Sequence, residues 1–185
     1  MKEAPHSLLS TDRIGSIRFL LQSVTDLKGS IAEVGCYKGG IGHYLNLHSN
    51  GKTVYLFDTF EGIPMQGKLD VHPVGDFGDS PYETVRDHFS DSENVVVTKG
   101  IFPESAAWAI PEDEKFCFVH LDADQYKSTL DSLNYFYDRI VTGGIIVFDD
   151  YGWLKGVDEA IDLFFRDKPE RPTSTVMHQC FIIKK

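Results

Sequence analysis

The chain has 185 residues, 42% of them hydrophobic, with 13 Phe and 8 Tyr, which is enough apolar mass for the core of one domain, 1–185, and too much for a disordered chain. Its 18 basic and 28 acidic residues give a net charge of −10 with no Lys/Arg stripe, so nucleic acid is not an expected partner. No apolar run has the length of a membrane span and the opening MKEAPHSLLSTDR has no signal-type apolar core, while Cys36, Cys117 and Cys180 form no C-x-x-C; free thiols in a reducing cytoplasm are expected.

In chain order, Ser10 or Thr11 can cap a helix running to about Leu27, with Ile14, Ile17, Leu20, Leu21 and Val24 on one face. A buried strand, 31–34, follows and turns through Glu33-Val34-Gly35-Cys36-Tyr37-Lys38-Gly39-Gly40 into a short helix, 40–47. Glycines there permit positive φ and a close approach of ligand to backbone, and the helix start offers unpaired N–H groups. The spacing E-x-G-x-x-x-G is not the G-x-G-x-x-G dinucleotide fingerprint, and an acid before the glycine suits a cationic ligand better than a pyrophosphate. The turn residues Glu33, Gly35, Cys36, Tyr37 and Gly39 are therefore candidate cofactor contacts.

A second strand, 53–57, ends at Asp58, roughly as far past the glycine turn as an acid that binds ribose hydroxyls usually lies. The stretch 60–79, rich in Gly, Pro and Asp, is too long for an ordinary connection and is expected to be a functional loop. Then come a helix 82–89, a strand 94–98, a turn at Gly100-Ile101, a strand 116–121 ending in Asp122-Ala123-Asp124, and a helix 125–140. Gly143–Gly144 open a strand 145–148 that ends in Asp149–Asp150; a helix 154–165 and a closing hairpin, 173–177 with 180–183, complete the pattern. Strands alternating with helices predict a doubly wound α/β sheet of seven strands, order 3-2-1-4-5-7-6, with helices on both faces.

In that order the fourth and fifth strands are neighbours, so Asp122, Asp149 and Asp150 converge at the rim where ligands bind. Three carboxylates so close repel one another, and no basic residue is near them in sequence, although Lys127 or a distant Lys could fold back. A hard divalent cation, Mg²⁺ with Mn²⁺ as the alternative, resolves the conflict, whereas zinc lacks a His/Cys ligand set. Asp124 reads as a cap for the helix that follows it. His43, His120 and His178 read as core or rim histidines, His120 being the one beside a strand tip.

These residues resemble the class I S-adenosylmethionine-dependent methyltransferases, and in particular the macrocin O-methyltransferase family, whose members act on sugars of macrolide and aminocoumarin antibiotics. The matching segments are EVGCYKGG, FDTFEGIP, SPYETVRDHF, KGIFPES, LDADQYKSTLDSL and GGIIVFDDYG. The resemblance implies that Glu33 and Gly35 line the methionine end of the cofactor, with Glu33 near its ammonium. It further implies that Asp58 holds the ribose, flanked by Thr59 and Phe60, and that Gly100 and Ile101 lie along the adenine. Asp122, Asp149 and Asp150 would bind Mg²⁺, with Asp122 also the general base. Family members carry a longer N-terminal region over the site. Here the first strand begins at Ile31, so the acceptor pocket is expected from the first helix, 64–79, the turn 151–155 and a second subunit in a homo-oligomer. Trp153 and Tyr151 could wall the acceptor or simply pack.

The expected activity is Mg²⁺-dependent O-methylation of a hydroxylated small molecule. A different class of reading, a non-catalytic cofactor-binding or oligomer-forming module of the same fold, stays open. An NAD-linked dehydrogenase is disfavoured by Glu33 and the G-x-x-x-G spacing.

Overall fold

The computed structural model describes residues 2–176 and 178–185. Its strands are β1 (Ser30–Val34), β2 (Val54–Asp58), β3 (Val95–Lys99), β4 (Phe116–Leu121), β5 (Ile140–Asp149), β6 (Thr173–Ser174) and β7 (Gln179–Ile183). They form one sheet in the order β3-β2-β1-β4-β5-β7-β6, the order expected from the sequence. The first five are parallel; β7 runs antiparallel beside β5, and β6 antiparallel beside β7. The helices are α1 (Thr11–Gln22), α2 (Gly40–Leu47), α3 (Tyr82–His88), α4 (Tyr126–Phe136) and α5 (Lys155–Phe165).

Strand side chains alternate between two cores, as a period of two requires. Ala32, Val34, Tyr55, Phe57, Val119 and Phe148 pack with Leu133 and Phe136 of α4 and with Ile161 and Phe165 of α5. Ile31, Val54, Leu56, Phe118 and Val147 pack on the other face with Ile17 and Leu21 of α1 and with Ile41 and Leu45 of α2. Covered on both faces, the central strands read as continuous apolar runs.

Several boundaries differ from the sequence reading. The first helix stops at Gln22 instead of about Leu27. Ser23 Oγ donates to the Leu20 carbonyl at 2.6 Å and Thr25 Oγ1 to that of Gln22 at 3.1 Å, diverting carbonyls the helix would need, yet Val24 still packs in the core. Gly143–Gly144 do not open β5 but lie inside it. The register steps from Phe116↔Ile140 to Phe118↔Ile145, and Gly143 takes φ +83°, so the pair forms a bulge. The helix expected over 125–140 ends at Phe136, because β5 already begins at Ile140. A 3₁₀ turn, Glu104–Trp108, follows β3. The loop 60–79 carries neither helix nor strand. Of the closing hairpin, β6 pairs with β7 through Thr173↔Phe181; the expected strand end at Met177 lies outside the described residues. No helix among the described residues is long and apolar enough to cross a membrane.

Candidate active site

The carboxyl ends of β1, β2, β3, β4 and β5 open onto one crevice of about 280 Å³. Its wall includes Glu33, Gly35, Cys36, Tyr37, Asp58, Thr59, Gly100, Ile101 and Asp122 of the expected cofactor set, and Asp150 of the expected metal set. Three expected residues lie elsewhere. Gly39, φ +82°, is the N-cap of α2; Phe60 is buried against the Tyr82 ring; and Asp149 sits behind the crevice wall with its side chain sealed from solvent.

Gly35 is where the end of β1 runs against the end of β4, its parallel neighbour. It takes φ +88°, and a Cβ there would overlap the Asp122 carbonyl oxygen, so only glycine lets the two strand ends meet. Asp58, at the tip of β2, accepts the Phe60 N–H on Oδ1 and the Tyr37 N–H on Oδ2, both at 2.8 Å. Each oxygen keeps a lone pair for a ligand hydroxyl. Burial pushes the Asp58 carboxyl up, against the pull of those N–H groups.

The expected metal set Asp122, Asp149 and Asp150 is not brought together as one group: Asp149 and Asp150 fall in two different clusters that share Asp122. His120, Asp122 and Asp149 place one ligand atom each within 4.8 Å of one another, and so do Asp122, Asp124 and Asp150. Glu33, His120 and Asp149 lie on one face of the sheet. His120 Nδ1 stands 3.0 Å from Glu33 Oε1 and its Nε2 3.6 Å from Asp149 Oδ2. Burial opposes the charged imidazole, but Asp149 and Glu33 outweigh it and raise His120 to about 10. Glu33, expected near the cofactor ammonium, thus spends Oε1 on His120 and has Oε2 buried without a side-chain partner. Burial pushes the Glu33 carboxyl up, against the His120 bond that pulls it down.

The partner of the aspartates is not Lys127, which pairs with Asp131 on its own helix, but Arg13 of α1. Its Nη1 lies 2.6 Å from Asp149 Oδ1 and 3.1 Å from Asp150 Oδ1. Burial pushes the Asp149 carboxyl up, but His120 and then Arg13 outweigh it and hold it below its ordinary range. Asp122 and Asp124 go the other way. Burial first, then the charges of Asp149 and Asp124 for the one and of Asp150 for the other, pushes both well above the usual carboxylate range.

Asp124 is not the helix cap expected of it. Gln125 occupies the N-cap of α4 without capping a helix N–H through its side chain, and the Tyr126 N–H is taken by Asp70 Oδ1, 2.8 Å away in the long loop. Asp124 instead faces the crevice at φ +57°, and Asp150 has φ +60°. Non-glycine residues in that region carry backbone strain, which clusters at functional sites. The doubled acid of the D-x-D element was the available signal for Asp124. None in the sequence pointed to Arg13, nor to His6, Ser7, Leu8 and Leu9, which line the crevice beside it. Trp153 is exposed with its ring 4.8 Å from His178, and Tyr151 donates to Asp162 of α5; neither lines the crevice.

The donor set fits a hard divalent cation. Five carboxyls, those of Glu33, Asp122, Asp124, Asp149 and Asp150, face two cations, Arg13 and His120, and Asp149 Oδ2 is buried with no hydrogen-bond partner. Oxygen ligands in such excess suit Mg²⁺ or Mn²⁺.

Comparison with known proteins bears on the fold and the family. Among curated proteins, the chain is 27% identical over 176 residues to demethyldecarbamoylnovobiocin O-methyltransferase of Streptomyces niveus, covering 85% of this chain and 66% of the relative. It is 26% identical over 165 residues to the 8-demethyl-8-(2,3-dimethoxy-alpha-L-rhamnosyl)-tetracenomycin-C 4'-O-methyltransferase of Streptomyces olivaceus, covering 79% of this chain and 62% of the relative. The chain therefore spans slightly less than two thirds of the length of these relatives. Among solved structures, the O-methyltransferase NovP superposes with a TM-score of 0.82 at 23% identity, over 97% of this chain and 82% of that one. An O-methyltransferase from Bacillus cereus in complex with SAH superposes with a TM-score of 0.70 at 15% identity, over 95% of this chain and 82% of that one. At such identities both likenesses are of fold. The family model of the macrocin-O-methyltransferases matches residues 2–182, and the chain belongs to that family, Macrocin-O-methyltransferase (TylF).

Proposed function

We propose that the protein is an S-adenosylmethionine-dependent O-methyltransferase that methylates a hydroxyl of a small molecule, a sugar of a natural product being the acceptor class of its relatives, with Mg²⁺ as cofactor. One observation carries the reading: Asp122 belongs at once to the wall of the crevice and to both acid clusters, so a donor and an acceptor would meet at a single carboxylate. The relatives' names supply the reaction type, and the solved relative with bound SAH supplies the cofactor class.

In this reading Asp58 accepts the ribose hydroxyls with its remaining lone pairs, and Gly100 and Ile101 flank the adenine. Glu33, Gly35 and the start of α2 hold the methionine end. Asp122, Asp149 and Asp150 would hold Mg²⁺, which when bound lowers the pKa of an acceptor hydroxyl. Asp122, on the crevice wall and in both clusters, would take the hydroxyl proton on a carboxyl oxygen. Asp124, on the same wall and in one of the clusters, is the second candidate for this step. The rest of the rate comes from holding both partners in register for in-line transfer.

The ion pairs of Arg13 favour a second reading, a cofactor-binding module without catalysis, because the arginine already neutralises two of the acids. Single-turnover assays with and without EDTA separate the two. Asp122→Asn and Asp149→Asn are expected to retain affinity for S-adenosylhomocysteine and to lose turnover on the order of a hundredfold or more. Equal turnover in EDTA would remove the metal, and no turnover with any hydroxylated acceptor would favour the module.

A further inference from the structure

Arg13 stands in the first turn of α1 and reaches the tip of β5, where a single nitrogen, Nη1, spans Asp149 Oδ1 and Asp150 Oδ1. These carboxylates are two of the three acids assigned above to the cation. The arginine meets Asp149 on Oδ1 only; Oδ2 is buried with His120 Nε2 3.6 Å away as its counter-charge and makes no hydrogen bond. A +1 guanidinium and a +2 ion would draw on the same two carboxylates, and repulsion between them opposes joint occupancy.

The segment ahead of Arg13 is tied to the same crevice. His6, Ser7, Leu8 and Leu9 line it, and the strap passes so close to the start of α2 that a Cβ on Gly40 would meet Ser7 Cβ and the His6 carbonyl. Lys2 holds the far end, donating to the Asp87 and His88 carbonyls at 2.9 Å each and lying 3.2 Å from Asp91. The strap is therefore pinned at Lys2 on one side and at Arg13 on the other.

We propose that Arg13 is the resident counter-cation of the acid site in the metal-free protein, and that a divalent ion binds in competition with it. Taking Asp149 and Asp150 requires the guanidinium to leave, which unpins the strap 6–9 from the strand tips. Metal loading is thereby coupled to opening of the cofactor crevice. The inference rests on the metal reading given above.

The test titrates Mn²⁺ alone into EDTA-treated, dialysed protein by isothermal calorimetry, for the wild type, Arg13→Gln and Arg13→Lys. The wild type is expected to bind, Arg13→Gln to bind about tenfold more tightly, and Arg13→Lys to lie between. Hydrogen exchange gives an independent readout. Amides of residues 11–16 should exchange faster in the wild type when Mn²⁺ is added, and Arg13→Gln should be fast already. If both proteins bind Mn²⁺ with equal affinity, or the variant binds more weakly, competition is overturned while the metal reading stands. If neither binds, the metal reading fails and the competition with it. Should Arg13→Gln not fold, the Arg13→Lys affinity and the wild-type exchange decide: equal affinity with unchanged exchange overturns the proposal.

Discussion

His120 takes its part from its two neighbours more than from its own chemistry. It is fully buried between Glu33 and Asp149, and both acids depend on its charge. Replacing it with an apolar residue leaves Glu33 Oε1 without its partner and Asp149 with Arg13 alone as counter-charge, both where water cannot reach them. His120→Phe is therefore expected to cost about 3–5 kcal/mol of stability, the usual result of removing one partner from a buried ion pair. Urea denaturation at neutral pH measures it, and an unchanged midpoint would show that the acids find their counter-charge elsewhere. Asp58 calls for a different measurement. Its two N–H bonds leave capacity facing the crevice, so Asp58→Ala should weaken S-adenosylhomocysteine binding about tenfold or more, the worth of hydrogen bonds to a charged group. Calorimetry that finds the affinity unaltered would take Asp58 out of the ribose role. At this scale the sequence placed Asp122, Asp149 and Asp150 at strand ends, where the structure has them, and missed their partner. The acids fall at strand ends, a local pattern, whereas Arg13 meets Asp149 across 136 positions of chain. Backbone strain was equally hidden: Asp124 and Asp150 adopt positive φ without being glycine.

Among the elements, the central strands β1, β2, β4 and β5 were legible because each carries an apolar run buried on both faces, and their alternation with helices left few windings open. Boundaries were less legible, since they depend on local competition: the Ser23 and Thr25 hydroxyls end α1, and a bulge at Gly143 lets β5 begin at Ile140. What fixes the site within the fold is the close approach of the β1 and β4 ends at Gly35. Two glycines separate its contributions. Gly35 and Gly152 both have positive φ, +88° and +80°, but only Gly35 has backbone where a Cβ would go; around Gly152 that space is open. Gly152→Ala should cost only the left-handed penalty, roughly 1–2 kcal/mol. Gly35→Ala should cost clearly more and also weaken cofactor binding, because Asp122 must shift. Denaturation midpoints of the two variants give the comparison, and equal losses would mean that the strand tips can part without strain.

Across the whole molecule, folding gathers carboxyls from β1, β4 and β5 at one edge of the sheet, in a protein already carrying a net charge of −10. Whatever cation binds there stabilises the native state by mass action, about 2.7 kcal/mol at a hundred times its dissociation constant. S-adenosylmethionine carries a sulfonium charge and S-adenosylhomocysteine does not. Because Asp122 lies on both the crevice wall and the acid clusters, the sulfonium and a divalent ion would draw on the same carboxylate and repel each other. The rise in melting temperature produced by Mg²⁺ should therefore be smaller in protein saturated with S-adenosylmethionine than in protein saturated with S-adenosylhomocysteine. Asp122→Asn should shrink that difference, since it removes the shared charge. Scanning fluorimetry over a Mg²⁺ series with each cofactor reads both effects. Identical shifts with the two cofactors would mean that donor and metal occupy electrostatically separate sites, and no shared carboxylate could then serve both halves of the transfer.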